Sequence, residues 1–291
     1  MMLPALATAL CLVFAADVTP ASQPAPARGP VVVLADRDTR AYKEARAGIE
    51  AAAGRPVLLV NSSETERWHQ LQRSHGDATW LALGPRATAL LKSSPHPRRA
   101  ALLVQQQEIP PGLAAVPLEL PYAQQVAWLK TGFPGRLRLV VLRQPGGPVD
   151  DEALRQAAQA AELDLVLVDV RRSGDAVPAL EGALRDRRHS SLLWVLPDPV
   201  AVSTDTVAPL VQAALAARVP VVGFSDYFLR VGALGAVVVD YRAVGSQAYG
   251  MARDLATSTQ AAASAHLEVD GRLAERLGIA VDSGPGVQVR R

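Results

Sequence analysis

The stretch Ser191–Tyr227, SLLWVLPDPVAVSTDTVAPLVQAALAARVPVVGFSDY, contains a complete strand, loop, helix, strand unit. Leu192 to Leu196 is an unbroken apolar run of strand length, as expected of a parallel strand covered on both faces. Pro197-Asp198-Pro199 ends it. After the polar segment Ser203-Thr204-Asp205-Thr206, apolar residues recur at Val207, Leu210, Val211, Ala214 and Leu215, the i, i+3, i+4 spacing of an amphipathic helix. Pro209 is expected near its first turn, where a missing N–H is best tolerated. Val219 to Phe224 supplies the next strand, with Ser225, Asp226 and Tyr227 at its carboxyl end. Ligands of open parallel sheets sit outside those carboxyl ends, so Asp198, Ser203 and Asp226 are candidates for one crevice.

The same alternation extends in both directions. Val31 to Ala35 is a buried-strand run, followed by the turn Asp36-Arg37-Asp38-Thr39 and a helix with Tyr42, Ala45 and Ile49 on its apolar face. Gly54 ends that helix. Strands follow at Pro56 to Val60, Thr79 to Leu83 and Ala100 to Val104, with Gly84-Pro85-Arg86 leading into a short helix. Between Gln105 and Pro121 the periodicity lapses, and Pro110, Pro111, Gly112 and Pro117 mark a connection between lobes. A second series then begins: helix Tyr122 to Lys130, strand Leu137 to Leu142, helix Asp151 to Ala161, strand Leu163 to Val168 and helix Val177 to Arg187. After the quoted unit come a strand at Ala236 to Val239, a helix at Val244 to Leu255, a linker at Ala256 to Ala265 and a last short helix capped by Gly278. Such alternation implies an α/β fold with parallel sheets covered by helices on both faces.

With 291 residues, 49% of them hydrophobic, the chain is long enough for two lobes. Thirty basic residues balance 28 acidic ones, the arginines are scattered and aromatics make up only 4%, which excludes a nucleic-acid-binding stripe or a base-stacking surface. The single cysteine, Cys11, lies inside the apolar leader Met1 to Ala16, so neither a disulfide nor a thiolate nucleophile is expected in the mature chain. The leader is too short to span a bilayer and suits a signal peptide, with Val13-Phe14-Ala15 before the cleavage site. Export to the periplasm follows. Cys11 as a lipid-attachment residue is the weaker alternative, because Leu10 before it is large where a small residue is preferred.

Four short motifs carry a resemblance. They are Leu196-Pro197-Asp198 before Val202-Ser203; Arg218-Val219-Pro220-Val221; Gly232-Ala233 with Asp240-Tyr241 and Gly245; and Glu275-Arg276-Leu277-Gly278-Ile279. In order and spacing the chain from Val31 to Ile279 resembles the substrate-binding proteins of ABC transporters with the type I periplasmic-binding fold, in particular the subgroup for amino-acid-like and aromatic ligands. The resemblance implies two doubly wound parallel-sheet lobes joined by a three-segment hinge, closing over a ligand without breaking any bond. The expected partition is residues 1–16 as signal peptide, 17–30 as disordered linker, 31–117 plus 232–256 as the N-terminal lobe, 118–231 plus 257–282 as the C-terminal lobe, and 283–291 as a tail. The implied partners are a small-molecule ligand and an ABC permease and ATPase complex in the inner membrane. The protein is expected to be a monomer, without cofactor and without nucleic acid.

An amino-acid-like ligand needs a desolvated carboxylate for its ammonium and N–H donors for its carboxylate. Asp198 or Asp226 would serve the first end, and Ser203, Thr204 and the helix start behind them the second. Pro-Asp-Pro is equally an ordinary turn, and Ser or Thr before a helix equally a cap. Asp36, Gly84, Pro85 and Gln105 lie where the first-lobe strands end and would form the facing half-site, with Ser225 opposite and Tyr241 as a stacking ring. Enzyme signatures are missing: there is no G-x-G-x-x-G after the first strand and no Walker loop, and Gly223-Phe224-Ser225-Asp226-Tyr227 lacks the second glycine of a nucleophile elbow. His69, His75, His96, His189 and His266 have no zinc spacing. Asp150-Asp151 suits a helix start. The reading is an exported solute-binding receptor. The alternative is a periplasmic sensor or structural protein of the same fold that no longer transports.

Overall fold

Residues along the first strand alternate between two apolar cores: Val31, Val33 and Ala35 face one, Val32 and Leu34 the other. Burial on both faces is the condition that allows a parallel strand to be apolar throughout. The computed structural model describes residues 29–186 and 188–291, so the expected leader with Cys11, and all but the last two residues of the linker, lie outside the described residues.

In the first lobe β1 (Val31–Ala35), β2 (Leu58–Asn61), β3 (Thr79–Leu83), β4 (Arg99–Leu102) and β5 (Ala114–Val116) form a parallel sheet in the order β2-β1-β3-β4-β5. Its helices are α1 (Arg40–Ala53), α2 (Thr65–Ser74) and α3 (Pro85–Lys92). The chain then passes through residues 117–121 into α4 (Tyr122–Gly132) and the second sheet. There β6 (Arg138–Arg143), β7 (Asp164–Asp169), β8 (Ser191–Trp194), β9 (Val221–Gly223) and β10 (Gly235–Val239) join later strands in the order β12-β11-β10-β9-β8-β6-β7, with α5 (Asp151–Ala160), α6 (Ala176–Leu184), α7 (Thr204–Ala216) and α8 (Tyr227–Arg230) between them. Next α9 (Tyr241–Arg253) returns to the first lobe. The chain crosses once more to add β11 (Ala265–Asp270), α10 (Gly271–Leu277) and β12 (Val287–Arg290) to the second. Among the paired strands of the described residues, only β10 and β11 run antiparallel.

Two glycines explain how α9 docks on α1. A Cβ at Gly48 would collide with the carbonyl oxygen of Arg242, and one at Gly245 with that of Ala45, so the two helix backbones touch. Ser246 Oγ donates to the Gly48 carbonyl at 3.0 Å across this contact.

The two-lobed α/β architecture agrees with the sequence expectation, and several local expectations are corrected. Strand β10 pairs with β9 and β11, so residues 232–240 remain in the second lobe and only the helix after them crosses. The stretch taken as featureless connection contains β5, which at three residues is too short to show a period. Helix α2 was not expected between the second and third strands. The expected tail ends in β12, held to β11 by Arg290, whose guanidinium lies 2.6 Å from the buried Glu268 carboxylate. Helix α7 starts at Thr204, one turn earlier than its apolar period suggests, and places Pro209 inside the helix. There Pro209 leaves the Asp205 carbonyl without its helical donor.

Candidate ligand-binding cavity

A cavity of about 1120 Å³ lies between the lobes, where the strand ends and the three crossing segments converge. The first lobe contributes the end of β4 (Leu103, Gln105) and the crossing from Val116 to Pro121. The second contributes Leu196 and Pro197 after β8, Phe224 and Ser225 after β9, and one face of α5. Val239 and Tyr241 line it from the second crossing, and Thr259 and Ala261 from the third. On α5 the lining residues Ala153, Gln156, Ala157 and Ala160 follow helical spacing, and three of them are alanines. These small side chains keep the space open.

The walls are chiefly apolar, with few polar groups, as is usual for a small-molecule site. Among the described lining residues there is no Lys, Arg or His, while Glu119 and Asp150 contribute carboxylates. Asp150 caps α5, its Oδ1 accepting the Ala153 N–H at 3.0 Å. Glu119 Oε2 accepts the Gln106 N–H at 2.9 Å. Gln125 Nε2 donates to the Leu120 carbonyl at 2.9 Å, and Gln107 Nε2 to Gln105 Oε1 at 3.0 Å. Each bond fixes a segment of the first crossing or the loop behind it.

Two tyrosines carry the electrostatic record of this wall. Burial pushes the Tyr122 phenol above its ordinary pKa; a backbone hydrogen bond at Asp150 opposes the shift, and the charges of Asp150, Glu119 and Asp151 reinforce it. Its ring meets Trp194 edge-on, with centroids 6.0 Å apart. Tyr241 is also raised, first by burial and then by Asp226 and Glu44, with Arg40 opposing. At both phenols burial is the larger cause, and the neighbouring carboxylates add to it.

Of the residues proposed from sequence, Gln105, Ser225 and Tyr241 line the cavity. Asp36, Gly84, Pro85, Asp198, Ser203 and Asp226 are not among its described lining residues. Asp36 instead caps α3: its Oδ2 accepts the Arg86 N–H at 2.8 Å and its Oδ1 the Ala87 N–H at 2.7 Å. Gly84, with φ of +96°, makes room for this, because a Cβ there would lie 2.6 Å from Asp36 Oδ2, and Pro85 opens the helix. Asp198 is fully buried, and its two oxygens accept the Gln144 and Val200 N–H groups, each at 2.9 Å. It clamps the loop after β6 to the loop after β8. Ser203 is the N-cap of α7, its hydroxyl bonded to that of Thr206, and Thr204 is the helix's first residue. Asp226 is a half-exposed rim residue paired with Arg230 at 2.6 Å and, across the lobes, with Arg40 at 3.7 Å.

Sequence reasoning passed over Glu119, Tyr122 and the alanine face of α5. Asp150 was recognised only as a helix start, which it also is. The alanine spacing on α5 was a usable signal, whereas the first crossing had no period to follow. Among the described residues no group of three or more His, Cys, Asp or Glu is placed to hold a metal ion, and no helix is long and apolar enough to cross a membrane.

No protein-family model matches the chain, and no curated protein matches it. Solved structures do. The ligand-free, open structure of a substrate binding protein with adhesive properties from Clostridium difficile is similar over 90% of this chain and 99% of its own, at 12% identity and a TM-score of 0.73. The ABC domain in complex with L-Trp from Streptococcus pneumonia is similar over 86% of this chain and 96% of its own, at 16% identity and a TM-score of 0.53. A periplasmic ribose ABC transporter structure from Conexibacter woesei matches 89% of this chain and 97% of its own, at 10% identity and a TM-score of 0.53. At such identities the likeness is one of fold: two α/β lobes of the type I periplasmic-binding-protein kind.

Proposed function

We propose that this protein is an exported solute-binding receptor that holds one small organic molecule in the cavity between its lobes and presents it, as a monomer, to an ABC permease and its ATPase. The observation that carries the reading is the cavity itself. It is large enough for a drug-sized organic molecule, bordered by all three crossing segments, and lined mainly by apolar groups with a few polar ones. Movement about those crossings would change its shape directly. Support also comes from the company the fold keeps, since the Streptococcus structure holds L-Trp and the Conexibacter one is a ribose transporter component. For the amino-acid-like ligand expected from the sequence, Glu119 and Asp150 offer acceptors to an ammonium group, and no Lys, Arg or His stands among the described lining residues.

The test is a thermal-shift panel of amino acids, amines, nucleobases, sugars and small acids on the purified chain. A ligand selective for the folded state raises its apparent stability, by about 2.7 kcal/mol at one hundred times its dissociation constant. A saturable rise with one chemical class is expected. A panel without any shift would sink the proposal.

A further inference from the structure

We infer that the cavity takes a largely apolar molecule that carries an amine and no carboxylate, an inference that rests on the solute-binding reading above. Three observations point to it. First, no Lys, Arg or His stands among the described lining residues, so an anionic group would enter without a countercharge. Second, two of the three helix starts at the cavity are already filled by the protein's own carboxylates: Asp150 caps α5, and Asp240 Oδ1 caps α9 by accepting the Ala243 N–H at 3.0 Å. The third start, that of α4, has Pro121 as N-cap and no side-chain cap. It could draw an anion with the half-charge of a helix N-terminus. Glu119 and Asp150, however, bring two full negative charges to the same neighbourhood, and both push up the phenol of Tyr122, the first residue of α4. These charges oppose the draw of the helix dipole on an anion.

Third, the groups that remain available suit a cation with an apolar body. Glu119 and Asp150 each use one oxygen on a backbone N–H, and the other oxygen of each has no hydrogen-bond partner among the described residues. A charged N–H to such an oxygen is among the stronger hydrogen bonds. Tyr122, Phe224 and Tyr241 present aromatic surface to the same space, which attracts a cation through the ring face and buries the remainder of the molecule.

The experiment uses four indoles that share one apolar body: tryptamine, tryptophan, indole-3-propionate and the neutral 3-methylindole. Each is titrated into the full chain by calorimetry beside the wider panel described above. Tryptamine is expected to bind at least about tenfold more tightly than tryptophan, the difference being the cost of tryptophan's carboxylate left without a partner, and indole-3-propionate is expected not to bind. Glu119→Gln and Asp150→Asn should each weaken tryptamine about tenfold and leave 3-methylindole unchanged. Asn retains the helix cap, so an unaltered melting temperature would confirm that these variants fold. Tryptophan or indole-3-propionate binding as tightly as tryptamine would overturn the inference, as would variants that bind tryptamine like the parent. If tryptamine fails while another class in the panel binds, this inference falls alone. If nothing in the panel binds, the solute-binding proposal falls with it.

Discussion

Each lobe places an aspartate just beyond a sheet strand, Asp36 after β1 and Asp198 after β8, and neither is among the cavity's described lining residues. Both give their two oxygens to backbone N–H groups. Asp36 holds the start of α3 from a half-exposed position, whereas Asp198 joins two loops with its side chain fully buried. The acids at the cavity, Glu119 and Asp150, make only one such bond each. A strand-end carboxylate is therefore a loop fastener when backbone donors saturate it and a ligand candidate when an oxygen is left over. The difference lies in accounting for hydrogen bonds, and sequence position does not reveal it.

The comparison can be broken most severely by removing the framework that lets the first lobe form. Gly245→Val forces a branched side chain into the backbone contact between α9 and α1, and a loss of roughly 3 kcal/mol is expected from such overpacking. Urea unfolding would read it as a lower midpoint, with signals from the first lobe lost before those from the second. A variant as stable as its parent would show that the helix contact is looser than it stands here.

Asp198→Ala comes next. It leaves the Gln144 and Val200 N–H groups without their acceptor in the interior, at a cost of about 2–4 kcal/mol. Asp36→Ala removes a half-exposed cap and should cost about 1 kcal/mol. Neither change should alter the affinity of a bound solute by more than about twofold, since neither carboxylate lines the cavity. If Asp36→Ala proved the costlier of the two, or if either abolished binding, the distinction between fastener and ligand group would fail.

The smallest effect is alkaline. Tyr122 and Tyr241 are both held protonated above the ordinary tyrosine range, chiefly by burial. A raised folded-state pKa stabilises the fold below the unfolded value, and that contribution is lost as pH climbs through the folded one. Melting temperatures should therefore decline above about pH 10. Tyr122→Phe and Tyr241→Phe should each flatten the decline, and an unchanged slope would place these phenols in solvent.

Much of the fold was legible because long apolar runs announce themselves. The strands β1, β3, β6 and β8 are such runs, and their alternation with helical periods implied two parallel sheets. β5 and β12 were not legible, having three and four residues and no period to detect. β10 was assigned to the wrong lobe because its pairing with the later β11 is invisible locally. Gln105, Ser225 and Tyr241, expected as ligand contacts because they lie beyond strand ends, line the cavity. Asp36 and Asp198 obey the same rule, and their backbone donors at Arg86 and Gln144, 50 and 54 residues away, are out of reach of a local reading. Gly245 carried the family resemblance without a reason, and its contact with Ala45 now supplies one.

The central claim is that a small molecule occupies the space between the lobes. Ala123 is an exposed residue in the first turn of α4 whose side chain lines that space, so Ala123→Trp would fill it at little cost to the fold. Calorimetric titration of the parent chain and this variant, with a compound selected by thermal shift, tests the claim most directly. One molecule bound per parent chain and none by the variant is the predicted result; equal binding by both chains would place the ligand elsewhere and contradict the account.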